Sequence, residues 1–182
     1  MMTQITLQAV DSQPRRDAAR ELITEYLRWV AGVAASDHGL SFDVDAMVRS
    51  DIDDGGKFYP PSGRLYLVCH GSDPVGVGAL KSLARDIGEI QRMYVRPRAR
   101  GLGAGRLLAQ RLLLDARDIG FTRLRLESLK TLTAAHALYR SLGFVDIAPY
   151  ADNSMRDYQA ASALEAYRRS ALFMELDLGR GA

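Results

Sequence analysis

Apolar positions recur along this chain with two distinct rhythms. Ile5-Thr-Leu-Gln-Ala-Val10 alternates, as a half-buried strand does. Over residues 15–30 the spacing changes. Ala18, Leu22, Ile23, Tyr26, Leu27 and Val30 fall on one stripe of a helix, with Pro14 placed to open it. Trp29, near that helix's end, reads as a packing residue. Residues 32–40 form a small-residue connection, and residues 43–52 a second, shorter helix ending in the turn Asp51-Ile-Asp-Asp-Gly-Gly56. Tyr59-Pro-Pro-Ser-Gly63 is a stiff loop, since its two prolines fix φ and disfavour helix.

The next segments are apolar runs bounded by turn residues. Residues 64–70 and 75–83 read as strands joined by the hairpin signal Gly71-Ser-Asp-Pro74. Asp86-Ile-Gly88 turns the chain into a third strand, residues 89–95, which Pro97 stops. Helical spacing returns from about Ala104 to Asp118 and ends at Gly120. Residues 121–127 alternate as a strand, so residues 89–127 make one strand-helix-strand unit with parallel strands. Ser128 or Thr131 caps a helix running through Leu142, with Gly143 past its end. A short strand at 144–147, an amphipathic helix at 158–169 and a last strand at 171–178 complete the chain. The order β-α-α-β-β-β-α-β-α-β-α-β predicts an α/β fold: a single mixed sheet flanked by helices. No repeat, low-complexity stretch or linker divides it, so one domain over residues 1–182 is expected.

Composition narrows the function classes. Of 182 residues, 47% are apolar and 25% charged, which argues for a packed globular domain. Net charge is only +2, from 24 basic and 22 acidic residues, so a general nucleic-acid binder is not expected. The single cysteine, Cys69, lies in the apolar run Leu65-Tyr-Leu-Val-Cys69 and reads as a buried, inert thiol. No run is long enough to span a membrane and no signal pattern opens the chain, so the expected compartment is the cytoplasm. His38, His70 and His136 are scattered without metal-ligand spacing, and no metal is assigned.

Charge is nevertheless concentrated locally. Between Gln91 and Leu114 stand six arginines (92, 96, 98, 100, 106 and 111) and no acid. Among them lies Arg100-Gly-Leu-Gly-Ala-Gly105, a glycine turn leading into a helix. Unpaired backbone N–H groups, the positive end of the helix dipole and missing Cβ atoms make such a turn an anion site. A dinucleotide fingerprint fails, because its third glycine position falls on Arg106 or Leu108. A P-loop fails for want of Gly-Lys-Ser/Thr. Arg-x-x-Gly-x-Gly at a strand-to-helix junction remains.

With this motif the sequence resembles the GNAT superfamily of N-acetyltransferases, whose acetyl-coenzyme A motif is Gln/Arg-x-x-Gly-x-Gly/Ala. Arg100, Gly103 and Gly105 match it. Tyr59-Pro-Pro-Ser-Gly63, Gly88-Glu-Ile-Gln-Arg-Met-Tyr-Val-Arg-Pro97, Ala137-Leu-Tyr-Arg-Ser-Leu-Gly-Phe144 and Phe173-Met-Glu-Leu-Asp-Leu178 look like a bacterial branch of it. The resemblance implies a sheet with a splayed central strand pair. It also implies that backbone groups of Met93, Tyr94 and Val95 hold the pantetheine arm of acetyl-coenzyme A. The pyrophosphate would sit on Arg100, Gly101, Leu102, Gly103, Ala104, Gly105 and Arg106, and the arginine cluster suits the remaining phosphate. One position departs from the pattern: Leu132 stands where many members have an asparagine.

The implied reaction is acetyl transfer to a small-molecule primary amine by direct attack in a ternary complex. It needs a base for the ammonium and an acid for the leaving thiolate. The resemblance points to Glu89 as the catalytic carboxylate and to Tyr139 as the general acid or aligner beside the sulfur. Tyr59, Arg92 and Tyr150 are candidates to line the acceptor cleft. Strand alternation sends Arg92 to the face opposite Gln91 and Met93. An Arg92 in the cleft would favour a carboxylate-bearing amine. An approach of Asp51, Asp53 and Asp54 would favour a polyamine or aminoglycoside. The alternative class is a non-catalytic module that binds an acyl-coenzyme A and reports it; the presence of both Glu89 and Tyr139 counts against it. Residues 158–169 are a candidate lid or homodimer contact, with packing on the sheet equally open.

Overall fold

The structure is a computed structural model that describes residues 4–54, 56–151 and 161–179. Strand β1 (Ile5–Ala9) leads into α1 (Gln13–His38) and α2 (Val44–Ile52). A meander follows: β2 (Arg64–His70), β3 (Asp73–Ala84) and β4 (Ile87–Val95). After a 3-10 turn at Pro97–Ala99 come α3 (Ala104–Ile119), β5 (Arg123–Leu129), α4 (Thr133–Ser141), β6 (Val145–Ile147), α5 (Ala161–Ser170) and β7 (Ala171–Asp177). The seven strands form one sheet in the order β1-β2-β3-β4-β5-β7-β6. Only the β4–β5 pair is parallel; every other pair is antiparallel. The expected mixed sheet and element order are what is observed.

Alternation along β2 assigns the helices to the two faces. Leu65, Leu67 and Cys69 share a core with Leu22, Ile23 and Leu27 of α1, Met47 of α2 and Tyr167 of α5. Tyr66 and Val68 share the other core with Leu108 and Leu112 of α3 and Tyr139 of α4. Burying each large side chain of this kind stabilises the fold by roughly 1.5–3 kcal/mol. Leu27→Ala would therefore cost about 2–5 kcal/mol, because it also leaves a cavity.

Helix α1 runs eight residues beyond the expected end at Val30, through the stretch assigned to a connection. The reason is composition: alanines are good helix formers, and Ala34 is fully buried. Gly32 is tolerated inside, and the stop comes at Gly39, which adopts a left-handed φ of 64°. The expected caps on α4 are absent: the helix starts at Thr133 with Leu132 as its N-cap and no side-chain cap. The part of the expected helix at residues 158–160 lies outside the described residues. Among those described, no helix is long and apolar enough to cross a membrane, and no group of three or more His, Cys, Asp or Glu gathers as metal ligands.

Candidate active site

The site is made where β4 and β5 part. Their pairing covers only Ile87↔Arg123, Gly88↔Leu124 and Glu89↔Arg125. Beyond Glu89 the β5-facing edge of β4 has no strand partner among the described residues. β4 is also bulged. Its register with β3 passes from Ala79↔Gln91 to Val77↔Tyr94, so both Arg92 and Met93 stand opposite Gly78. Arg92 takes a left-handed φ of 56°, the one such non-glycine residue among those described. The bulge therefore breaks the expected alternation of Arg92 with its neighbours. Gly78 permits this packing: a Cβ there would lie 2.6 Å from Leu108 Cδ2 and 2.9 Å from Met93 Sδ.

A cavity of about 540 Å³ fills the gap. Met93, Tyr94, Val95, Arg100, Gly101, Gly103, Ala104, Gly105 and Arg106 line it, as do Arg92 and Tyr139. Leu102, assigned to the same loop, does not line it and is 51% exposed. Gly101 and Gly103 both have φ of 79° with open space where a Cβ would stand, so backbone conformation, not crowding, calls for glycine there. Gly103 is the N-cap of α3; there is no side-chain cap and no acid in the first turn. The N–H groups at that helix start are thus available to an anion, with the dipole favouring it. A phosphorylated ligand fits this cradle.

The arginine cluster is largely neutralised by tertiary contacts. Arg92 pairs with Asp51, Arg96 with Glu21 and Glu25, Arg98 with Asp73, and Arg111 with Asp115. Among the described residues only Arg100 and Arg106 of the six have no acidic partner, and both line the cavity. Arg100 donates from Nε to the Val95 carbonyl at 2.9 Å, and its guanidinium lies 5.5 Å from the Trp29 ring centre. Arg106 donates to Ser141 Oγ at 2.9 Å. Trp29 is 41% exposed and also lines the cavity, 6.2 Å from the Tyr94 ring. It is a residue of the site, which helical periodicity alone assigned to packing. The Tyr94 hydroxyl donates to Glu25 at 2.6 Å, tying α1 to β4. Burial and Glu25 push that phenol up to about 12.

Among the candidate catalytic residues, Tyr139 lies on α4 against Phe144, and burial pushes its phenol well above the usual tyrosine range. The hydroxyl therefore keeps its proton near neutral pH and is a donor. No hydrogen bond to it forms among the described residues.

Glu89 is fully buried and does not line the cavity. Lys81 lies 3.4 Å from its Oε2, Gln91 donates to it at 3.1 Å, and the Tyr150 hydroxyl donates to its Oε1 at 3.1 Å. Tyr150 is committed to this interior contact and also lies off the cavity. Tyr59 is placed away from it too, with Arg16 stacked 5.3 Å over its ring.

The carboxylate that does line the cavity is Glu127, two residues beyond the last β4–β5 pair. Burial first, and then the charge of Glu89, raise its pKa to about 8. A hydrogen bond with Tyr167 opposes the shift, while its Oε2 has no hydrogen-bond partner. The sequence pattern ends this strand at Glu127 and gives that residue no role, whereas β5 continues to Leu129. Alternation puts it with Arg125 and Leu129 on the α1 face, but the splay that exposes it there is a tertiary property.

A smaller pocket of about 50 Å³ adjoins the cavity and shares Tyr26, Gln91, Arg92 and Glu127 with it. Leu27, Phe42, Met47 and Tyr167 add apolar walls. Asp51 does not open into this pocket as an anionic site; it is 2% exposed and held by Arg92 and Lys57.

The chain has relatives in sequence and in fold. The chain is 30% identical to an IAA acetyltransferase of Azospirillum brasilense over 138 residues, 75% of this chain and 83% of that protein. It is 34% identical to the uncharacterized N-acetyltransferase YjgM of Escherichia coli K12 over 118 residues, 62% of this chain and 71% of that one. The fold superposes on yncA of Salmonella typhimurium, a putative acetyltransferase solved with acetyl-CoA, with a TM-score of 0.63, 20% identity and coverage of 98% and 96%. The acetyltransferase (GNAT) family profile matches residues 19–144. By this match over more than half of its length, the chain belongs to the acetyltransferase (GNAT) family.

Proposed function

We propose that this protein moves the acetyl group of acetyl-coenzyme A to the primary amine of a small molecule, by direct attack within a ternary complex. One observation carries the reading: a single cavity joins the uncapped, glycine-started helix α3 to Tyr139 and Glu127. Backbone N–H groups from Gly103 to Arg106, with Arg100 and Arg106, would hold the pyrophosphate. The open edge of Met93, Tyr94 and Val95 would hold the pantetheine arm. Acetyl-coenzyme A supplies a thioester carbonyl, which an unprotonated amine attacks. The acceptor enters from the smaller pocket, where Glu127 is the group that meets its ammonium.

Glu127 takes one proton from the ammonium, which frees the nitrogen lone pair. The nitrogen bonds to the carbonyl carbon, the C–S bond breaks, and Tyr139 gives its proton to the departing sulfur. The second amine proton restores the Tyr139 hydroxyl, directly or through water. The products are the N-acetylated amine and free coenzyme A, with Glu127 left holding one proton to release. In this reading Glu89 acts behind Glu127: its charge raises the proton affinity of Glu127, while Lys81 and Tyr150 hold it in the interior.

The test is thiol release from acetyl-coenzyme A with a panel of small amines, beside calorimetric titration with coenzyme A. The expected result is binding plus turnover on at least one amine. Binding without turnover on any amine would favour the acyl-coenzyme A sensor instead.

A further inference from the structure

The left-handed residue in β4 is not a glycine, and its side chain is tied to a helix distant in sequence. Arg92 Nε donates to Asp51 Oδ2 at 2.5 Å and Arg92 Nη2 to Asp51 Oδ1 at 3.2 Å. Asp51 sits in the last turn of α2, 2% exposed, with Lys57 Nζ 2.8 Å away. An arginine at φ 56° is unfavourable by itself, because its Cβ crowds the following carbonyl. It persists only where surrounding contacts over-determine it. A two-pronged guanidinium–carboxylate pair is such a contact, since it fixes direction as well as distance.

We infer that Asp51 is a positioning residue for the cofactor: its pair with Arg92 holds the β4 bulge, and the bulge aims Met93, Tyr94 and Val95 at the cavity. The chain of cause runs from α2, through one ion pair, to the backbone of β4. Met93 follows Arg92 directly, so relaxation of Arg92 to an extended conformation shifts the register of residues 93–95 against β3. Tyr94 would lose its alignment with Glu25 in the same movement. Asp51 itself lines neither the cavity nor the smaller pocket, so any effect on coenzyme A binding must pass through Arg92. The inference rests on the cavity between β4 and β5 being the coenzyme A site.

A double-mutant cycle separates this role from general stability. Asp51→Asn in the wild-type background should weaken coenzyme A binding roughly tenfold, a coupling of ordinary size for residues in contact. Glycine adopts φ 56° without help. In an Arg92→Gly background the bulge no longer needs its holder, so Asp51→Asn should change coenzyme A affinity by less than about twofold, within the error of additivity. Loss of packing around Asp51 would weaken binding equally in both backgrounds and would overturn the inference. So would unchanged affinity of Asp51→Asn in the wild type. Lys57→Met removes the other partner of Asp51 without touching the bulge and should leave the affinity unchanged; a tenfold loss there would sink the idea. Should Asp51→Asn fail to fold, Arg92→Lys and Arg92→Gly give the same answer. Lysine keeps the charge but loses the two-pronged grip and the glycine freedom, so Arg92→Gly must bind coenzyme A more tightly than Arg92→Lys, and the reverse order would overturn the inference. Titration of the unmutated protein comes first. Absence of any coenzyme A binding there would remove the cofactor reading itself, a failure distinct from a normal wild type beside an unaffected Asp51→Asn.

Discussion

The guanidinium of Arg100 lies 5.5 Å from the Trp29 ring centre while its Nε donates to the Val95 carbonyl at 2.9 Å. One side chain thus spans from α1 to the end of β4 at the mouth of the cavity. Trp29 is the single tryptophan, so it reports on this corner alone. Addition of coenzyme A should change its emission with a saturable curve. Arg100→Ala should raise the acetyl-coenzyme A KM about three- to thirtyfold, the loss of one charge-assisted contact with phosphate together with the Trp29 stack. Steady-state kinetics over a range of acetyl-coenzyme A concentrations checks it, and an unchanged KM would remove Arg100 from the cofactor site.

Glu127→Gln keeps the shape of the carboxyl and removes its basicity. Turnover should fall about 10²-fold or more, the usual worth of a general base. In the wild type kcat/KM should rise with pH and level off above about 8, because the base must be ionised and its pKa is raised to about 8. The variant should lose that limb. An intact limb in Glu127→Gln would exclude Glu127 as the base and return attention to Glu89.

The same group makes a stability prediction of definite sign. The folded-state pKa of Glu127 lies above its ordinary value of 4.5, so the folded state holds the proton more tightly. Its contribution to stability is full below about pH 4.5 and is lost as pH rises through about 8. Glu127→Gln, which stays neutral, should therefore raise Tm relative to wild type at pH 8.5 and change it little at pH 5. Thermal denaturation at the two pH values measures the difference; equal Tm shifts would contradict the assigned shift.

Tyr139→Phe should lower kcat by roughly 10–100-fold with little change in the acetyl-coenzyme A KM, since it removes a proton donor and keeps the ring. Single-turnover kinetics with saturating cofactor is the direct reading. Unchanged kcat would leave Tyr139 as a packing residue against Phe144.

The two left-handed glycines and the third glycine of the loop should behave oppositely. Gly101→Ala and Gly103→Ala force a Cβ into φ 79° and should each destabilise by about 1–2 kcal/mol, although nothing crowds the new atom. Gly105 is inside α3, where alanine is the better helix former, and its Cβ would meet Leu138 Cδ2 at 3.4 Å. Gly105→Ala should leave urea stability within about 1 kcal/mol of wild type and weaken coenzyme A binding through bulk in the cradle.

Much of this was legible in the sequence because local chemistry wrote it there. Gly120 ends α3 as its position predicts, and Arg100-Gly-Leu-Gly-Ala-Gly105 lies at the strand-to-helix junction. The charge of the arginine run was not legible, because Glu21, Glu25, Asp51 and Asp73, which neutralise Arg96, Arg92 and Arg98, come from other elements. The bulge was hidden for a similar reason: Arg92 carries no glycine signal, and its backbone is set by a partner 41 residues away. Glu127 was hidden because one strand pair parts just before it. Glu89 has the right neighbours in sequence, yet strand pairing as far as Arg125 keeps it in the interior.

The parting of β4 from β5 has a consequence beyond the shape of the cleft. Its walls come from Tyr26 and Trp29 of α1 on one side of the sheet and from Leu138 and Tyr139 of α4 on the other. The sheet is therefore pierced, and reactants arriving from opposite sides can meet within it without sharing an entrance. In the proposed reaction the donor's doorway is framed by α3, α4 and Trp29 of α1, and the acceptor's by Tyr26 of α1 with α2 and α5. The two doorways are not independent: Tyr26, Arg92 and Glu127 border both, and the Arg92–Asp51 pair ties α2 to β4, so a change on the acceptor's side is felt by the donor as well.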